Sequence, residues 1–237
     1  MPVGNVVTKS VLILSAALTM IAFDPAWAHA RGHHHHGEQS RHEQRPSVAG
    51  EFDYYLLSLS WSPQHCAERT GGPNDPQCGT MRHYSFIVHG LWPQYENGGF
   101  PDSCSRDGRL DEEVIAATLD DMPSRDLIRH EWTKHGTCSG LPADRYFGEI
   151  REAFHRVKIP ERFRRPDDAF RVTAAAVRED FRAANPEIPA DGIAVLCTGR
   201  FLSEVRLCLS KDDRHPRPCG TRVKDTCSGE AIVRPIR

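Results

Sequence analysis

The sequence predicts an α+β domain built on a largely antiparallel sheet, and three observations predict it. Segments of strand character stand at both ends of the folded part. Segments of helical periodicity fill the middle. Eight cysteines follow an export-type leader, and an even number in an exported chain suggests four disulfides. A length of 237 residues with 39% hydrophobic side chains suffices for one sizeable core.

The N-terminus sets the context. Lys9 precedes the apolar run VLILSAALTMIAF (Val11 to Phe23), and Ala26-Trp27-Ala28 gives a small-x-small cleavage site. Residues 1–28 are therefore expected to be a signal peptide, with Ala30 as a second possible cleavage point. The apolar run is short for a membrane-spanning helix. Residues 29–50 carry almost no large apolar side chain, so a disordered leader is expected there. Its run His33 to His36 could hold a divalent metal weakly, but a solvated polar tract is the favoured reading. The folded domain is placed at 51–237.

Within it, FDYYLLSLSW (Phe52 to Trp61) reads as a strand entering a loop at Pro63. Cys66 to Cys78 encloses a Gly/Pro/Asn loop that a local bridge would tie off. HYSFIVHGLW, from His83, reads as a strand stopped by Pro93, with Ser85, Ile87 and His89 on one face and Tyr84, Phe86 and Val88 on the other. LDEEVIAATLDDM is a helix ending before Pro123, and Ser124 can cap the next. ADRYFGEIREAFHRVK places Tyr146, Phe147, Ile150, Phe154 and Val157 at helical spacing. DDAFRVTAAAVREDFRAANP is a further helix candidate. GIAVLC and FLSEVRLCL return to strand, followed by a cysteine-bearing tail. No internal repeat occurs.

Charge narrows the function. Lys and Arg number 30 against 32 Asp and Glu, a net charge of -2, so no global field draws in a polyanion. Any such ligand must meet a local cluster of cations. The richest candidate is RHEWTKHGTC, Arg129 to Cys138. Its histidines are five apart, whereas a zinc-protease helix needs them at i and i+4. Lys134 would also oppose a metal, and the cysteines form no C-x-x-C pairs. Glu131 and His135 do stand at i, i+4, and so do His130 and Lys134, which offers an imidazole near a carboxylate beside positive charge. Alone, this could be an ordinary solvated helix face. A second histidine, His89 in FIVHGLWPQ, changes the balance. Two imidazoles are what internal transesterification of RNA requires, one taking the 2′-OH proton and one protonating the 5′-oxygen. Cations must meet the charge on the phosphorane.

FIVHGLWP and LIRHEWTKHGTC resemble the two active-site segments of the RNase T2 family of secreted endoribonucleases. The resemblance runs from about Tyr54 to the last cysteine and includes YYLLSLSW and LSEVRLC. It implies an α+β fold with a mainly antiparallel sheet flanked by helices. It implies cleavage of single-stranded RNA with low base specificity through a 2′,3′-cyclic phosphate, without metal or cofactor. DNA, lacking the 2′-OH, should resist. By the same resemblance His89 is the general acid and His135 the general base, although one sequence does not itself establish which is which. Glu131 and Lys134 stabilise the pentacovalent phosphate, His130 binds phosphate, and Trp92 lines the base site, with Gln94, Tyr95 and Asn97 nearby. Trp132 is expected to pack inward. The implied disulfides are Cys66–Cys78, Cys104–Cys138, Cys197–Cys227 and Cys208–Cys219. A monomer, free of the membrane after signal removal, is expected in the periplasm or medium. The alternative is a non-catalytic binding protein on the same scaffold.

Overall fold

A computed structural model describes residues 45–69, 75–79 and 83–236, all within one compact unit. The signal segment and the leader up to residue 44 lie outside the described residues. Two strands come first, β1 (Tyr54–Trp61) and β2 (Phe86–Gln94), separated by a short helix α1 (Ser62–Glu68). Helices α2 (Glu112–Thr118), α3 (Arg125–Lys134), α4 (Ala143–Arg156) and α5 (Glu161–Arg164) follow. The chain closes with β3 (Phe170–Thr173), α6 (Ala174–Ala184), β4 (Ile193–Thr198), β5 (Phe201–Ser210) and β6 (Glu230–Val233).

The sheet runs in the order β2-β1-β5-β6-β3, with β4 on β5. Its pairings are antiparallel except the contact of β6 with β5 at Phe201 and Ile232. The expected α+β class with a mainly antiparallel sheet therefore holds. Alternation on β1 sorts the two faces. Tyr55, Leu57, Leu59 and Trp61 point to the main core with Val88, Leu91, Val205 and Leu207, where α3, α4 and α6 add Ile128, Tyr146, Ile150, Val177 and Phe181. Each such buried side chain contributes about 1.5–3 kcal/mol of apolar transfer. The other face carries Ser58 and Ser60 of β1, opposite Arg206 and Glu204 of β5. That polar face holds the candidate site.

Several elements differ from expectation. The second strand continues through Pro93 to Gln94, because β2 is an edge strand and a missing N–H there breaks no ladder. Pro63 opens α1 rather than a loop, since the first helical turn tolerates proline. The segment 167–186 is not one helix. Phe170–Thr173 pairs with β6, and the Thr173 side chain caps α6 by accepting from the Ala176 N–H. The helix expected over 110–122 is shorter, Glu112–Thr118. Ser124 caps α3 as expected, its side chain accepting from the Leu127 N–H.

Residues 45–50, assigned by composition to the leader, lie against the domain. Arg45 pairs with Asp53 at 3.0 Å and stacks over Tyr95, and the Gly50 N–H donates to the Cys138 carbonyl at 2.9 Å. Backbone and ionic contacts hold a segment that has little apolar surface to bury. Four disulfides are closed: Cys66–Cys78, Cys104–Cys138, Cys197–Cys227 and Cys208–Cys219. No helix among the described residues is long and apolar enough to cross a membrane.

Candidate active site

His89 reaches the polar face through an irregularity in β2. Ser58 pairs with Gly90 and Leu59 with Val88, so His89 is an extra residue without a partner on β1. Such a bulge re-aims a side chain. It also resets the alternation, so that Ile87, Gly90, Trp92 and Gln94 share the face of Ser58 and Ser60 while Leu91 stays in the core. Without it, His89 and Trp92, three residues apart, would face opposite ways.

The second segment arrives on α3. Glu131 occupies its last turn, Lys134 ends it, and His135 is its C-cap, followed by a 3-10 turn at Gly136–Cys138. Ile128 and Trp132 anchor the helix in the core, and the Trp132 indole donates to the Arg109 carbonyl at 3.1 Å. Glu131, only 1% exposed, extends over Gly90. Its Oε2 accepts from the Trp92 indole N–H at 2.6 Å, and Oε1 lies 3.9 Å from His89 Nε2. The i, i+4 spacing of Glu131 and His135 on one helix thus does not set the carboxylate's contacts. They run across to β2.

The two imidazoles flank one indole. The His89 ring centroid lies 5.1 Å from that of Trp92, and the His135 centroid 5.3 Å from it on a tilted approach. Trp92 is largely buried and also carries Arg206 over its ring at 5.0 Å. The exposed aromatic at the site is Phe100, 43% accessible, with its ring 5.5 Å from His135 and Lys134 Nζ 5.8 Å from its centre. The bridge Cys104–Cys138 ties the loop of Phe100 to the turn after His135.

The electrostatics separate the histidines. Burial opposes charge on His89, but the hydrogen bond and charge of Glu204, aided by Glu131, outweigh it and raise its pKa above 6.5. His135 is pushed down to about 3, first by burial, then by Lys134, His130 and His89. Its Nδ1 is buried with no hydrogen-bond partner, so a proton there would go uncompensated. Burial raises Glu131 to about 7 against the pull of His89, the Trp92 N–H and Lys134. The two environments thus push the imidazole pKa values apart, His89 upward and His135 downward.

The remaining sequence-derived residues fall in varied places. His130 is exposed on α3. Gln94 is buried on the face of Trp92, its amide donating to the Pro93 carbonyl. Tyr95 is buried under Arg45 with its hydroxyl on the Pro46 carbonyl. Among the described residues, no group of three or more His, Cys, Asp or Glu is arranged to hold a metal ion. A hollow of about 210 Å³ borders His89, lined by Ser60, His65, Ile87, Leu127 and Glu204. Glu204 was not among the sequence-derived candidates. Its signal was two charged residues, Glu204 and Arg206, alternating with Val205 and Leu207 on one strand.

A sheet-borne histidine and a helix-end histidine thus lie against one indole that also donates to a buried carboxylate, a grouping suited to the acid–base chemistry of an enzyme. Comparison makes it particular: residues 52–219 match the model of the Ribonuclease T2 family, and the chain belongs to that family. It is similar to a ribonuclease of Aeromonas hydrophila, 37% identical over 197 residues, covering 76% of this chain and 82% of that one. It is also similar to ribonuclease DdI of Dictyostelium discoideum, 31% identical over 206 residues, 77% and 85% of the two chains. In fold it is similar to RNase MC1 from bitter gourd seeds, TM-score 0.62 at 24% identity over 76% of this chain and 100% of that one. RNase NT, solved with 5′-AMP, gives TM-score 0.61 at 24% identity over 79% and 100%. The chain is a T2-type endoribonuclease.

Proposed function

We propose that this endoribonuclease cleaves single-stranded RNA with little base specificity, by attack of the ribose 2′-oxygen on the adjacent phosphorus and without a metal ion. The observation that carries the reading is that the imidazoles of His89 and His135, from distant parts of the chain, both lie against Trp92. His135, neutral above about pH 3, takes the 2′-OH proton. The 2′-oxygen bonds to phosphorus, and the P–O5′ bond breaks. His89, protonated and 35% exposed, gives its Nε2 proton to the departing 5′-oxygen. The products are a 2′,3′-cyclic phosphate and a 5′-hydroxyl.

Lys134 and Glu131 serve the phosphorane. Lys134 supplies charge, and Glu131, beside His89 Nε2, tunes that histidine. His130, exposed one turn before Lys134, contacts an outer phosphate. Trp92 and Gln94 form the wall of the base site on the face of β2, and Phe100 is the platform on which a base stacks, a mode tolerant of sequence. The hollow beside His89 gives room on the leaving-group side. DNA, with no 2′-oxygen, is not cleaved. The working form is a monomer, exported to the periplasm or medium after loss of residues 1–28, with 29–50 as its leader and 51–237 as the catalytic domain.

Homopolymer RNA incubated with the purified protein in EDTA tests this, with the ends of the fragments mapped. Cyclic phosphate ends formed at an undiminished rate are expected. Abolition by EDTA would point to a metal hydrolase, and binding without cleavage to the non-catalytic alternative.

A further inference from the structure

We propose that Glu204 is the positioning residue of His89: it fixes the imidazole's tautomer and direction and keeps it charged, acting through that ring and not on the reacting atoms. The inference rests on the reading of His89 as the general acid.

The need for such a residue comes from the bulge. His89 has no partner on β1, so the regular pleat does not set the aim of its side chain. Glu204, on β5 two strands away in the sheet, meets it instead. His89 Nδ1 lies 2.8 Å from Glu204 Oε1. The carboxylate is itself held: Oε2 accepts from Ser58 Oγ at 3.0 Å, from Arg206 Nε at 2.8 Å, and pairs with a terminal guanidinium nitrogen at 2.7 Å. Ser58 pairs with both Gly90 and Arg206 in the sheet, so the three strands fix the triad of Ser58, Glu204 and Arg206 around the histidine.

An ionised carboxylate only accepts hydrogen bonds. Glu204 stays ionised although burial disfavours its charge, because His89 and Arg206 hold it down at about 2. The His89 nitrogen facing it must therefore carry the hydrogen in either charge state. The titrating proton is then the one on Nε2, the nitrogen on the Glu131 side. The charged and titratable groups facing His89 are Glu204 and Arg206 from β5, Glu131 from α3, His135 at the end of α3 and His65 from α1. Glu204 makes the direct hydrogen bond, and its loss leaves Arg206 unopposed.

The wild-type protein tests the proposal without any variant. Long-range ¹⁵N correlation spectra of His89 across a pH titration should show a midpoint above 6.5 and, in the neutral form, the hydrogen on Nδ1. Glu204→Gln keeps an acceptor and removes the charge. The His89 midpoint and the alkaline limb of kcat/KM should both move down by about 1–3 pH units, the effect of one close charge, with KM at low pH unchanged. Glu204→Ala should in addition lower kcat at every pH by roughly 10²-fold, the lower end of what acid catalysis contributes. A role confined to packing predicts lower thermal stability with the limb in place. A neutral His89 protonated on Nε2, or a midpoint unmoved in Glu204→Gln, overturns the proposal. Should the wild type not cleave RNA, the acid assignment fails, and the spectra still decide what Glu204 does to His89.

Discussion

Gly90 lies directly beneath Glu131: a Cβ at that position would press on the carboxylate, reaching its Cδ at 2.9 Å and standing inside contact distance of Oε2 and of the Trp92 indole nitrogen. The glycine is there for close approach, since its φ is not in the left-handed region. Gly90→Ala should break the bond between Trp92 and Glu131. Overpacking of this kind costs about 1–3 kcal/mol. Turnover should fall more steeply than stability, and kcat measured beside Tm separates the two.

Histidine replacement tests the acid–base pair directly. His89→Ala and His135→Ala should each lower kcat by about 10²–10⁴-fold, the usual contribution of one proton-transfer group. Far-UV circular dichroism should stay unchanged. Substantial residual turnover in a folded variant would remove that histidine from the mechanism.

The pH profile follows from the protonation states. His135 must be neutral, so kcat/KM should rise as pH climbs through about 3. His89 must be charged, and its raised pKa places the fall above 6.5. A broad plateau over mildly acidic pH is expected from a dinucleotide assay. A narrow optimum at alkaline pH would contradict it.

Glu131 links activity to stability with the opposite sign. Its pKa rises from 4.5 to about 7 on folding, so its contribution is fully present below 4.5 and is lost as pH rises through 7. Glu131→Gln retains an acceptor for the Trp92 N–H and escapes that loss. At pH 8 the variant should be more stable than wild type by about 3 kcal/mol, the order set by a shift of this size, while cleaving RNA poorly. Denaturant unfolding at pH 5 and pH 8 reads the difference.

The bridge between Cys104 and Cys138 spans 34 residues and couples the Phe100 loop to the His135 turn. Replacing both cysteines by serine should lower stability by about 3–4 kcal/mol on the chain-entropy estimate. At a temperature where the variant remains folded, KM should rise, because the stacking platform is no longer held beside the base.

What could be read from the residues was what is contiguous. FIVHGLWP and RHEWTKHGTC each carry their chemistry within ten residues, so His89, Trp92, Glu131, Lys134 and His135 were visible as candidates before any fold was known. Glu204 was not, because its meaning depends on β5 lying beside β1, which lies beside β2, across 115 residues. The partner of Glu131 was likewise hidden. Helical spacing pointed to His135, while packing of α3 over Gly90 turned the carboxylate toward Trp92 and His89. Residues 167–186 misled for a local reason: an alanine-rich helical pattern overlaps a four-residue strand whose pairing partner, Glu230–Val233, comes far later in the chain.

The unpaired place at His89 makes the cleft depend on counting. Removing one residue from Phe86–Val88 would let His89 close the register opposite Leu59, turning its imidazole toward the helix-covered core while Gly90, Leu91 and Trp92 keep their partners. Homologous chains that gain or lose a single residue in this strand should therefore need a compensating change in its neighbour, or else surrender the pocket while retaining every motif letter.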